Sequence, residues 1–360
     1  MKKKAIACMM AAALSAGSIP AYAGEAENPS GEAPLQIVTT IFPEYDWVRN
    51  ILGDNPGNAE LTMLLDKGVD LHSFQPTAED ILKISACDLF ICVGGESDGW
   101  VDDVLQEAVN PDMKVIRLLD ALGDGAKEEE LLEGMQEEEH DHGHAEEAEH
   151  AEEAEHAEDG GHEDEHGGDQ EAGHEHEGTE PEYDEHVWLS LRNAAVLTET
   201  IAETLETLDP ANADAYSANA AAYTAQLQEL DAAYEAAVAE ASFDTLLFGD
   251  RFPFRYLADD YGLTCYAAFA GCSAETEASF ETIAFLAGKV DELSLPAVMT
   301  IEGTDHRIAE TIVQSTGGRD QKILTLDSMQ ATTGKDAAEG AAYLAVMEKN
   351  LSVLKEALQA

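Results

Sequence analysis

Residues 128–185 carry 27 Asp and Glu and nine His, but no Lys or Arg. Large apolar residues all but vanish after Met135, and the unit His-Ala-Glu-Glu-Ala-Glu runs from His144 and again from His150. Such a stretch buries too little apolar surface to offset the entropy of ordering it. It is expected to be a disordered loop, so the fold must be assembled from the residues on either side. Chain-wide, 74 acids face 19 bases, a formal net charge of −55. That excludes a general nucleic-acid binder, which needs a basic surface for phosphates. It also excludes docking to anionic lipid through a basic patch. Yet 44% of the residues are hydrophobic, too many for a wholly disordered acidic chain.

The N-terminal end reads as an export signal. Lys2, Lys3 and Lys4 precede an apolar stretch from Ala5 to Ile19, and Ala21-Tyr22-Ala23 supplies small residues for cleavage after Ala23. The apolar run is too short to anchor in a bilayer. Residues 24–34 are polar and Pro/Gly-containing, a flexible tether. No cysteine stands at the cleavage region, so there is no clear lipobox. The expectation is a monomer exported to the periplasm or held at the cell surface. Outside the cytoplasm, Cys87, Cys92, Cys265 and Cys272 are open to oxidation. Cys92 lies in an apolar run and reads as a buried hydrophobe; Cys265 and Cys272 are the expected pair.

On both sides of the loop, strand and helix patterns alternate. Before it, strands are predicted at 36–41, 61–65, 89–93 and 114–118. Helices are predicted at 45–52, 78–85 and 100–109, the second capped by Thr77 with Glu79 and Asp80 in its first turn. After it come a helix at 194–208, a long helix at 211–241 opened by Pro210, and strands at 245–249, 264–268, 297–301 and 323–326. Such alternation implies parallel βα units. The expected fold is α/β: an N-terminal lobe over 35–127, a return to it over 186–210, a linking helix, and a C-terminal lobe over 242–360. Each lobe holds a mainly parallel four-stranded sheet flanked by helices.

Ligands of such sheets bind beyond the carboxyl ends of the strands, where His72 falls. Only His72, His186 and His306 lie outside the loop. The loop histidines, His140, His142, His144, His150, His156, His162, His166, His174 and His176, read as loose auxiliary sites for a divalent metal. The match of His162-Glu163-Asp164-Glu165-His166 to the zinc-protease pattern is discounted. Glycines flank it, and it has no apolar face to build the buried helix that this chemistry needs.

The ordered series of motifs resembles the zinc/manganese solute-binding proteins of ABC transporters, the group with a rigid linking helix. The resemblance rests on Thr39-Thr40-Ile41-Phe42-Pro43, Asp70-Leu71-His72-Ser73-Phe74-Gln75-Pro76, Ala86-Cys87-Asp88-Leu89-Phe90, Trp100, and Asp184-Glu185-His186-Val187-Trp188-Leu189-Ser190. Asp209-Pro210, the run from Tyr256 to Leu263, and Ile308 to Ile312 complete it. It implies a metal held in the cleft between the lobes, with His72 and His186 on the first two ligand positions and Asp327 on the C-terminal one. The third position departs: where the family has His or Glu, this chain has Arg251, which stays protonated and cannot ligate. Asp250 and His306 are alternative donors, and Cys272 a more distant one. The resemblance implies a receptor that binds Zn(II), with Mn(II) as the alternative, and delivers it to a membrane permease. Two other readings are an extracellular metal buffer or adhesin-like surface protein and, further off, a metallohydrolase. No nucleophile or acid–base pair accompanies these ligands, so no enzymatic activity is expected.

Overall fold

Among the described residues, eight strands form two sheets with the same strand order, each parallel throughout. In the first, β1 (Leu35–Thr39), β2 (Ala59–Met63), β3 (Leu89–Cys92) and β4 (Lys114–Arg117) are ordered β2-β1-β3-β4. In the second, β5 (Thr245–Phe252), β6 (Thr264–Ala270), β7 (Ala297–Ile301) and β8 (Lys322–Leu326) are ordered β6-β5-β7-β8. The inner strands β3 and β7 are buried along their whole length, as expected for a parallel sheet covered on both faces. This computed structural model describes residues 33–53, 59–136, 182–273, 277–303 and 305–359. The expected export signal, nearly all of the expected tether, the nine loop histidines and the protease-like motif lie outside the described residues.

Helices α1 (Phe42–Leu52), α2 (Ala78–Ala86), α3 (Val101–Gln106) and α4 (Leu118–Leu122) belong to the first lobe, and α5 (Leu191–Leu208) returns to it. The linking helix α6 (Ala213–Ala239) has 27 residues, about 40 Å of helix. It buries Tyr216, Ala220, Tyr223, Leu227, Leu230 and Tyr234, a seam at helical spacing. Helices α7 (Arg255–Tyr261), α8 (Phe280–Leu293), α9 (Arg307–Ser315), α10 (Gly334–Ala338) and α11 (Tyr343–Ala357) complete the second lobe.

The lobes are locked together by buried contacts. Buried Asp46 on α1 accepts hydrogen bonds from the Tyr343 backbone N–H of α11 (3.0 Å) and the Tyr223 hydroxyl of α6 (3.4 Å), and pairs with Arg49. One continuous apolar cluster runs from Ile37 and Trp47 through Trp188 and Tyr234 to Met347 and Leu358. A second cluster fills the space between the C-terminal sheet and helices α8 and α9.

Two expectations need correcting. The loop was expected to span 128–185, but residues 128–136 and 182–185 pack on the body. Glu128 pairs antiparallel with Tyr183, the Gln136 N–H donates to the Ala268 carbonyl (3.0 Å), and Leu132 and Met135 lie against the core. These apolar side chains repay ordering that the acidic composition alone does not. The expected Cys265–Cys272 pair does not form: all four described cysteines are free. Cys265 is the second residue of β6 and Cys272 follows its end. Seven residues of extended chain put them roughly 20 Å apart, far beyond the Cα separation a disulfide spans.

Candidate metal centre

The carboxyl ends of both sheets face one cleft, and the histidines meet there. His72 follows β2 on the short turn Leu71–Ser73, which Asp70 caps by accepting from the His72 backbone N–H (3.0 Å). His186 is fully buried where the chain re-enters the body. The two Nε2 atoms are 3.3 Å apart. Each ring is held from behind. His186 Nδ1 lies 2.9 Å from Asp184 Oδ1, which also accepts the His186 backbone N–H. A carboxylate only accepts, so that hydrogen bond places a ring proton on Nδ1 and turns Nε2 toward the cleft. His72 Nδ1 lies 2.7 Å from Ser97 Oγ and 3.5 Å from Glu185 Oε2. Orienting partners of this kind are what metal-binding histidines use.

Burial, then the proximity of His186, holds the His72 imidazole down to about 4, so it is uncharged at neutral pH. Two nitrogens about 2.0–2.1 Å from a tetrahedral zinc ion stand about 3.3 Å apart, the spacing of these two atoms.

The other candidates take different places. Arg251 Nη2 donates to Asp70 Oδ2 (2.7 Å), an ion pair across the cleft between the lobes. Burial raises the Asp70 carboxyl, but the Arg251 charge and hydrogen bond outweigh it and hold it below its ordinary value. Asp250 receives the backbone N–H of Arg251 (2.9 Å) and of Ile301 (3.3 Å). Asp327 follows β8 as expected, but its Oδ1 closes a turn on the Met329 N–H (2.9 Å). His306 opens α9 with a left-handed backbone and lines the cleft of about 440 Å³ that also contains His72 and Arg251. The donor atoms gathered within 4.8 Å of one another among the described residues are those of His72, His186 and Cys272. Asp250, Asp327 and His306 are not in that group.

Two neighbours carried little or no signal in the sequence. Gln330, with its amide turned to donate to Asp70 (3.2 Å), places its oxygen 3.3 Å from His186 Nε2. It stands three residues beyond Asp327, where only its strand-end position could have marked it. Glu185 sits under His72 and accepts the Ser97 N–H (2.8 Å); burial pushes its carboxyl up to about 7.

Behind them, Asp98 is buried and accepts the Gly94 N–H (2.8 Å), while its other oxygen has no hydrogen-bond partner among the described residues. Burial pushes it up to about 6. A raised carboxyl binds its proton more readily in the folded state. Its contribution to stability is therefore complete below the unfolded value and fades as pH rises through about 6. Relative to Asp98→Asn, the native chain is predicted to lose on the order of 2–3 kcal/mol between pH 4 and pH 7. Denaturant unfolding across that range checks it, and a constant difference between the two proteins would refute it.

A family model described as zinc-uptake complex component A, periplasmic, matches residues 37–357. The chain belongs to this ZnuA family. It is 30% identical over 325 residues to the zinc-binding lipoprotein AdcA of Streptococcus pneumoniae (strain ATCC BAA-255 / R6), covering 90% of this chain and 56% of AdcA. This chain thus spans little more than half the length of that relative. It is 26% identical over 324 residues to the high-affinity zinc uptake system protein ZnuA of Bacillus subtilis (strain 168), covering 90% of this chain and 88% of that protein. The crystal structure of the Zn(II)-bound ZnuA-like domain of Streptococcus pneumoniae AdcA matches with a TM-score of 0.63 at 27% identity. That match covers 91% of this chain and the whole of that domain. The two-lobe α/β fold is that of the ZnuA family, as the motif series implied.

Proposed function

We propose that this chain is an exported receptor that binds Zn(II) between His72 and His186 and delivers it to an ABC permease. The observation that carries the reading is the pair of Nε2 atoms 3.3 Å apart, each ring fixed through its Nδ1. Imidazole nitrogens suit zinc, whereas manganese favours more oxygen donors, and no carboxylate joins the gathered group among the described residues. Membership of the ZnuA family and the zinc-binding relatives support the same cargo. Export agrees with the leader-like N-terminus, and no helix among the described residues is long and apolar enough to cross a membrane. Competition of the purified chain with a zinc-chelating dye tests the reading. One tight site per chain is expected, together with zinc-limited growth that depends on the protein. Failure to retain zinc against the dye would reject it.

The histidine-rich acidic loop is proposed to concentrate metal and pass it to the cleft. Deleting residues 137–181 is predicted to leave the tight site within about threefold in affinity while slowing uptake at scarce zinc. Multiple carboxylates and imidazoles raise local cation concentration and on-rate more than final affinity. Radiolabelled zinc uptake measures this, and an unchanged rate at limiting zinc would discard the relay.

A further inference from the structure

Resting on the receptor reading above, we propose that Cys272 is the third ligand of the ion. The centre is then His₂Cys with the Gln330 amide oxygen on its fourth side, and Arg251 clamps the cysteine turn instead of serving as a ligand. The Cys272 thiol lies within 4.8 Å of ligand atoms of both His72 and His186. Its turn is built against the metal-binding ring. A Cβ on Gly271 would stand 2.9 Å from His186 Cε1 and 2.9 Å from the Phe252 carbonyl oxygen, so only glycine lets this turn approach so closely.

The third position moves by one strand. Arg251 and Phe269 are register partners on β5 and β6, and Cys272 stands just past the end of β6. A skipped register between Phe248 and Arg251 bends β5 here. A Cβ on Gly249, in that bend, would meet the Ala309 backbone at 2.6 Å, so α9 seats directly on it. Arg251 then reaches Asp70 across the cleft, and its Nη1 also donates to the Ser273 carbonyl (3.5 Å). One guanidinium thus ties the 271–273 turn to the loop that carries His72. From the other side, the Cys272 N–H donates to Glu129 Oε1 (3.4 Å).

The remaining described cysteines serve other places. Cys87 and Cys92 are buried in the first lobe, and Cys265 is at the far end of β6. Cys272 therefore has no disulfide partner among the described residues, which leaves its sulfur available to a metal. Without the ion, burial, then the acidic neighbours Glu129, Glu185 and Asp184, keep the thiol protonated. On binding, the Zn–S bond forms as the S–H proton leaves to solvent, and the thiolate supplies the anionic ligand that Arg251 cannot. A soft thiolate also selects zinc over manganese.

The full chain loaded with one equivalent of Co(II) tests this, because the histidine-rich loop contains no cysteine and cannot give a sulfur-to-cobalt charge-transfer band. The native chain is expected to show that band and Cys272→Ser to lose it, with Cys265→Ser as the unaffected control. Zinc affinity of Cys272→Ser is expected to fall at least about thirtyfold by dye competition, and bound zinc to protect Cys272 from alkylation. A native chain that holds one Co(II) tightly without the band, or a Cys272→Ser protein with unchanged zinc affinity, overturns the thiolate ligand and leaves the receptor reading standing. A native chain that retains no zinc at all overturns the receptor reading itself.

Discussion

His186→Ala is expected to lower zinc affinity on the order of a thousandfold while leaving the fold intact. Structural zinc sites bind with free energies of about 10–16 kcal/mol shared among their ligands, so losing one of three or four costs roughly 4 kcal/mol. His186 is the most demanding case because it is fully buried and its Nδ1 is already committed to Asp184. No other orientation of the ring presents a lone pair to the cleft without breaking that bond. Asp184→Asn is expected to cost less, about 10–100-fold, because it loosens the ring without removing the ligand. Both values come from competition against a chelating dye, with circular dichroism to verify folding. A folded His186→Ala protein with native affinity would remove the metal from this cleft.

The second large effect lies one side chain further in. Trp188→Ala is predicted to cost about 4 kcal/mol, as expected for emptying a buried aromatic site. The midpoint of thermal unfolding should fall by roughly 10 °C. Trp188 is 1% exposed; its Nε1 donates to the Ser328 carbonyl (2.9 Å), and its own carbonyl accepts the Tyr343 hydroxyl (2.6 Å). Those bonds join the re-entry segment to the loop after β8 and to α11. The indole also packs beside the His186 ring, with centroids 5.3 Å apart. Trp188→Phe should recover most of the packing and lose the hydrogen bond, a cost nearer 1–2 kcal/mol. Calorimetry on the three proteins measures both, and a midpoint for Trp188→Ala within two or three degrees of the native value would show that the junction carries little of the stability.

Much of the scaffold was legible in local pattern. All eight strands lie where β-branched and apolar runs placed them, and the linking helix differs from its expected bounds by two residues at each end. Helix α1 begins earlier than expected, at Phe42, because Pro43 falls in its first turn, where its missing N–H costs nothing. Helix α3 stops at Gln106 because the chain turns away, and the Val109 N–H bonds back to the Ser85 carbonyl. Strand β5 runs three residues beyond Gly249 because the bend there continues the ladder instead of ending it.

The sequence by itself determined the alternating α/β architecture, the acidic composition, and His72 and His186 as the groups to watch. Each of these follows from short-range spacing, composition, or a motif contained in one segment. What surrounds the two histidines was decided only by the tertiary structure. Arg251 and Asp70 are 181 residues apart in the chain, and the re-entry of His186 beside His72 spans 114. Asp327 held the expected position, yet its carboxylate turned back on the Met329 N–H, while Gln330 and Cys272 reached the histidines. Sequence spacing places a residue at a strand end, but which way its side chain faces depends on bends, turns and the approach of the opposite lobe.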